Sequence, residues 1–170
     1  MKKFAYAIVS ALAMAMFISC VQSYTIKTPF RHEDWKLALE VGNCRLEGQA
    51  FLKTRGGDVK TCAGEKVFLM PYNDYTAELD IAGKQGGYSE ASNLDPNIKN
   101  YWKVTTCDAD GNFEFDNLPV GQWLLFTEVV WEIPTGRYTS SVQGGDVTKI
   151  VQTIENSTQK VYLTGEDRSY

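Results

Sequence analysis

Histidine is nearly absent from this chain: His32 is the only one, and no Cys-x-x-Cys pair accompanies it. The usual zinc ligand sets are therefore unfilled, and no metal or other cofactor is expected. Neither a Gly-x-Ser-x-Gly elbow nor a His-Glu-x-x-His helix occurs. Nucleophilic and zinc-peptidase chemistry thus lack their motif residues, and the chain does not read as an enzyme. Basic residues are outnumbered, 17 Lys and Arg against 21 Asp and Glu. No basic patch with interleaved aromatics appears, which argues against a nucleic-acid partner. Internal repeats and low-complexity blocks are missing, and no apolar run reaches the ~20 residues that a spanning helix needs.

What is present begins at the N-terminus. Met1-Lys2-Lys3 is a short positive stretch, and Phe4 to Ile18 carries no charge. That run has the length of a signal-peptide core. It ends Phe17-Ile18-Ser19-Cys20, which resembles the bacterial lipobox: an apolar residue, a tolerant position, a small residue, then the acylated Cys. Phe17 stands where Leu is usual. The resemblance implies that residues 1–19 are a cleaved lipoprotein signal peptide and that Cys20 is the lipidated mature N-terminus. Several acyl chains anchor a protein stably where one binds only marginally. Val21, in place of the Asp that marks inner-membrane retention, implies the outer membrane, facing the periplasm. An ordinary Ala-Met-Ala signal and a plain N-terminal anchor are the alternatives.

The remainder has the size of one ordinary domain with a real core. Residues 20–44 read as a tether, in which Glu33 to Val41 alternates as a strand would, with a short helix as the rival. Leu46–Lys53, Glu65–Pro71, Tyr101–Thr106, Phe113–Phe115 and Gln122–Ile133 read as strands. Glu65–Pro71 is a continuous apolar run, which suits a strand buried on both faces. In Gln122–Ile133, Trp123, Leu125, Thr127, Val129 and Trp131 share one face at period two. Residues 72–100 form an insertion: Tyr75 to Ala82 as a short helix, Gly86-Gly87 and Asn93 to Asn100 as loop. Pro134 to Gly145 reads as a turn-rich loop or weak edge hairpin. Val147–Ile154 and Lys160–Leu163 read as a closing hairpin, and 165–170 as a tail.

Cys44, Cys62 and Cys107 remain beyond Cys20, enough for one bridge and one free thiol. Cys62 lies just ahead of a strand and Cys107 just ahead of a turn. A Cys62–Cys107 bridge is the expected pair, and Cys44 bridging either one is the alternative.

Two segments carry a resemblance. Gly48-Gln49-Ala50-Phe51-Leu52 leads through Gly57 to Gly64-Glu65-Lys66-Val67-Phe68-Leu69-Met70-Pro71. Later comes Thr106-Cys107-Asp108-Ala109-Asp110-Gly111-Asn112-Phe113-Glu114-Phe115-Asp116-Asn117-Leu118-Pro119-Val120-Gly121-Gln122-Trp123. Together they are similar to the carboxypeptidase regulatory-like domain. That resemblance implies an all-β, transthyretin-like Greek-key sandwich of about seven strands over residues 45–164, with no peptidase activity of its own. It also supports the Cys62–Cys107 bridge, because related bacterial lipoproteins carry cysteines at these positions. The 72–100 insertion departs from the family pattern.

Candidate sites follow from residue type. Asp108-x-Asp110-Gly111-Asn112 hints at a calcium loop, but its Gly is fourth rather than sixth, so a hairpin turn is expected. His32 reads as a surface residue. Glu128 and Glu132 share a strand face and read as solvated. Trp123 and Trp131 read as core, which leaves Tyr101, Trp102 and Tyr75, with Tyr72 and Tyr88, as possible ligand-facing aromatics. The functional expectation is a non-catalytic envelope module, membrane-bound through its lipid, that engages a protein partner through 72–100 or a sheet edge. The alternative is a carbohydrate-binding module, and a small hydrolase comes last.

Overall fold

The computed structural model describes residues 24–84 and 93–167. The signal segment, Cys20, Tyr88 and the end of the tail lie outside the described residues. Eight strands make two four-stranded sheets, so the predicted all-β sandwich forms with one strand more than expected. In the first sheet β1 (Cys44–Lys53) is central. One edge pairs antiparallel with β5 (Asn112–Leu118) and, beyond it, β2 (Val59–Thr61). Ala50 marks the hand-over: its N–H donates to the Gly111 carbonyl, and its own carbonyl accepts from the Cys62 N–H. The other edge pairs in parallel with β8 (Thr158–Leu163).

The second sheet runs β4 (Lys103–Thr106), β3 (Lys66–Pro71), β6 (Gly121–Pro134), β7 (Ser140–Thr153), all antiparallel. The alternation predicted for β6 holds. Trp123, Leu125, Thr127 and Val129 are fully buried toward the first sheet, and Trp131 packs on the same core. That core also takes Leu46, Ala50 and Leu52 of β1, Phe113 and Phe115 of β5, and Val161 and Leu163 of β8. Two polar groups inside it are satisfied: Thr127 Oγ1 donates to the Lys66 carbonyl at 2.9 Å, and the Trp123 indole donates to Thr153 Oγ1 at 3.2 Å.

The expected closing hairpin does not form. β7 pairs with β6 along its whole length, from Gly121↔Thr153 to Pro134↔Ser140, while β8 crosses to the first sheet. Alternation fixes which face a strand buries but not which neighbour it takes. Of the two readings of Pro134 to Gly145, the edge hairpin is the one that forms. Gly144 (φ +97°) belongs to it because a Cβ there would lie 2.0 Å from the Val129 carbonyl oxygen.

The largest correction concerns residues 20–44. From Tyr24 onward they are a packed layer, not a spacer. Of the strand and its rival, the short helix forms: His32–Leu39 is a 3₁₀ helix. In a 3₁₀ helix residues i and i+3 eclipse, so Trp35 and Ala38 are both buried while Leu39 and Val41 face solvent. The insertion supplies the rest of this layer. α1 (Asp74–Lys84) forms where a helix is expected, but Pro96–Tyr101 is a 3₁₀ helix where loop is expected. Asp95 starts it by accepting from the Asn97 N–H at 2.8 Å, with Pro96 behind. Asn73 and Thr76 start α1 by reciprocal capping. Asn73 Oδ1 accepts from the Thr76 N–H at 3.0 Å, and Thr76 Oγ1 accepts from the Asn73 N–H at 2.8 Å.

A second core results between this layer and the outer face of the second sheet. Ile26, Trp35, Tyr75 and Ile98 pack there against Met70 and Leu124. The lead-in is held by side chains acting as backbone partners. Asn93 both accepts from and donates to Ile26, at 2.9 and 2.8 Å. Glu78 of α1 accepts from the Tyr24 hydroxyl and from the N–H groups of Lys27 and Thr28, at 2.8–2.9 Å. Burial would raise the Glu78 carboxyl, but the hydrogen bonds from Thr28, Lys27 and Tyr24 outweigh it and bring the pKa down to about 2.

The Cys62–Cys107 disulfide is present, with its Cα atoms 5.8 Å apart, and Cys44 is a free, buried thiol. The bridge ties the start of β3 to the end of β4 and so closes the stretch that contains α1.

Candidate functional site

The sheet ladder dictates what α1 faces. Register places Phe68 opposite Phe126 and Met70 opposite Leu124. On the far side Phe126 is opposite Thr148 and Glu128 opposite Asp146. All point to the outer face, because their neighbours Val67, Leu69, Leu125 and Thr127 point into the sandwich. α1 covers only part of this grid. Between its Leu79–Asp80–Gly83 side and the sheet lies a groove of about 330 Å³, walled at one end by Leu94 and Trp102. Its floor is Phe68, Phe126, Met70 and Leu124, and its polar groups are Asp80, Thr148 and Asp146. Phe68 meets Trp102 edge-on at 5.2 Å and Phe126 at 5.8 Å, so the three rings form one aromatic surface.

The two aspartates are in different states. Asp80 is almost fully buried and fully partnered: Thr148 Oγ1 donates to it at 2.7 Å, and Lys84 Nζ lies at 2.7 Å. Asp146 is half-buried, and no described residue donates a hydrogen bond to its carboxylate. Burial pushes the Asp146 carboxyl up. Across the ladder, Glu128 is also pushed up, by burial first and then by the charges of Asp146 and Glu65. A carboxylate left without a donor beside an apolar floor is a place for a ligand's donor group.

Of the three aromatics singled out in the sequence, the structure brings one to the groove. Trp102 lines it. Tyr75 does not: it is buried in the second core, where its hydroxyl accepts from the Asp95 N–H at 3.0 Å. Tyr101 packs on the other side of that core against Trp35 and Phe30, with its hydroxyl 2.8 Å from His32 Nδ1. His32 is exposed, and Tyr72 is partly buried in the same cluster. Glu132 accepts from Ser140 Oγ at 3.0 Å and stands apart from the groove. Asp108 serves the hairpin turn, accepting from the N–H groups of Asp110 and Asn112, as expected of a turn.

Phe68, Phe126, Asp80, Asp146 and Thr148 were not legible as site residues. One signal pointed toward them: the apolar run of β3 implies cover on both faces, and such cover has an edge.

No family model matches the chain, and no curated protein matches it in sequence. Solved structures do. One is a candidate carbohydrate-binding protein from Pseudomonas aeruginosa, 28% identical, with a TM-score of 0.68, covering 81% of this chain and 98% of its own. The fold over 81% of this chain is therefore shared by a solved protein that it matches almost end to end.

Proposed function

We propose that the protein is a non-catalytic, lipid-anchored module of the bacterial envelope that binds a saccharide in the groove between α1 and the second sheet. The observation that carries this reading is the continuous Phe68–Phe126–Trp102 surface with, at its edge, the Asp146 carboxylate that has no donor among the described residues. Sugars bind by laying the C–H face of a ring on aromatics and directing hydroxyls to fixed acceptors, and the groove offers both. Its volume lies at the small end of ligand pockets, enough for one or two rings. The likeness to a candidate carbohydrate-binding protein supports the same choice.

The test is a glycan array followed by calorimetry. Saturable binding to one sugar class, weakened at least ten-fold by Trp102→Ala, is expected; binding that is absent or indifferent to Trp102→Ala refutes the reading. The anchor is tested separately. Cys20→Ala should abolish labelling by a palmitate analogue and release the protein from membranes, and a variant that stays membrane-bound refutes lipidation.

A protein partner is the second reading, and one feature favours it. β7 is a 14-residue edge strand whose hairpin with β6 leaves Tyr138 and Val142 exposed. Such an edge can accept an added strand. Loss of a co-purifying envelope protein on trimming residues 135–143 would select this reading over the saccharide.

A further inference from the structure

We infer that the saccharide carries a free, positively charged amino group, seated on the Asp146 carboxylate beside the Phe68–Phe126 rings. This rests on the saccharide reading of the groove and names its ligand class. The argument is charge complementarity. The elements packed around the groove present Asp80 and Lys84 from α1, Glu128 from β6 and Asp146 from β7. Lys84 is engaged by Asp80. Lys66, at the start of β3, is exposed, and Lys103 of β4 lies three strands from Asp146. The side of the groove toward β7 is therefore negative, with two carboxylates directly opposite each other across the ladder. Like charges so placed destabilise a sheet pair, and among the described residues neither carboxylate forms an ion pair, although the register brings Lys66 beside Glu128.

A neutral hydroxyl can donate one hydrogen bond to Asp146. An ammonium offers three donors and cancels a charge, and charge-assisted bonds are about twice as strong as neutral ones. The neighbouring aromatic rings add attraction for a cation and none for a neutral ring substituent. An N-acetylated amine forfeits both gains and adds bulk.

A pH dependence follows. Burial holds the Asp146 carboxyl above the usual range, so it protonates earlier on acidification than an exposed aspartate. Amine binding should then weaken as pH falls through that raised value, while neutral-sugar binding should not.

The experiment is calorimetry on the full-length protein in detergent micelles. Three probes are compared: a β-linked glucosamine trisaccharide, its N-acetylated counterpart and a neutral β-glucose trisaccharide. The free-amine probe is expected to bind at least ten-fold more tightly than both others at pH 6. That preference should shrink as the pH is lowered from there and collapse in Asp146→Asn, with the melting curve of the variant showing that it is folded. Glu128→Gln should reduce the preference by a smaller factor. Equal affinity for the three probes, or a preference retained in Asp146→Asn, overturns the amine assignment and leaves the saccharide reading standing. Binding of none of the three, with no array hit, overturns both.

Discussion

Replacing Trp35 by Ala separates a tether from a structural layer. In a spacer the change would alter nothing measurable. In the structure Trp35 is completely buried, with its ring centroid 5.3–6.0 Å from those of Phe30, Tyr101 and Tyr75. Its indole N–H is buried and has no hydrogen-bond partner among the described residues, so the substitution sacrifices packing and nothing polar. Truncating a buried Trp to Ala costs about 3–5 kcal/mol in transfer and cavity terms. Domains of this size lose roughly 2–4 °C of Tm per kcal/mol, so a fall of about 6–20 °C is expected. Differential scanning calorimetry and near-ultraviolet circular dichroism would read it, the latter because the aromatic cluster should lose its fixed asymmetry. Trp35→Phe should cost clearly less, since it keeps most of the ring contact and removes an unpaired donor. A Tm change under about 2 °C for Trp35→Ala would refute the packed layer, and with it the wall that shapes the groove.

Three further outcomes follow from the same structure. Replacing Cys62 and Cys107 by Ser should destabilise by about 4 kcal/mol on the chain-entropy estimate for a loop of 45 residues, read as a lower urea midpoint that added reductant reproduces in the parent protein. Glu78 contributes stability above its ordinary pKa near 4.5 that is lost as pH falls toward about 2. Acidification through that window should expose the amides of Lys27 and Thr28 to hydrogen exchange, and Glu78→Gln should make their protection lower and insensitive to pH over it. Gly48→Ala should destabilise by about 1–3 kcal/mol, because its Cβ would lie 2.2 Å from the Phe113 ring; an unchanged melting curve would show that the ring does not rest there.

How much of this was written in the sequence depends on which physical signal each element uses. Period-two burial in β6 and the paired Phe113 and Phe115 of β5 is local, and it was legible residue by residue. The disulfide was legible only in part: Cys44 also stands at a strand end, and the resemblance to related lipoproteins favoured Cys62–Cys107. The 3₁₀ helix at His32–Leu39 was legible only as the rival to a strand. Trp35, Leu37, Leu39 and Val41 alternate like a strand, yet the face that decides the outcome belongs to a sheet that forms from later residues. The same holds for Tyr75. Its ring invites a surface role until the helix turns it inward to meet the amide of Asp95. The groove was illegible because its floor and roof come from β3, β6, β7 and α1, joined by register rather than by proximity in sequence.

The Glu78 clamp also fixes a distance. Tyr24, the first residue it holds, is four residues past Cys20, and four residues span at most about 14 Å. A protein anchored at Cys20 is thus leashed short. With the proposed lipid on Cys20, the α1 side would ride at the lipid headgroups, and the ligands reaching the groove would be those that lie along the membrane or are handed across it. Protonating Glu78 would loosen Tyr24, Lys27 and Thr28 only as pH falls toward about 2, and Asn93 would still hold Ile26, so the leash keeps its length at ordinary acidity.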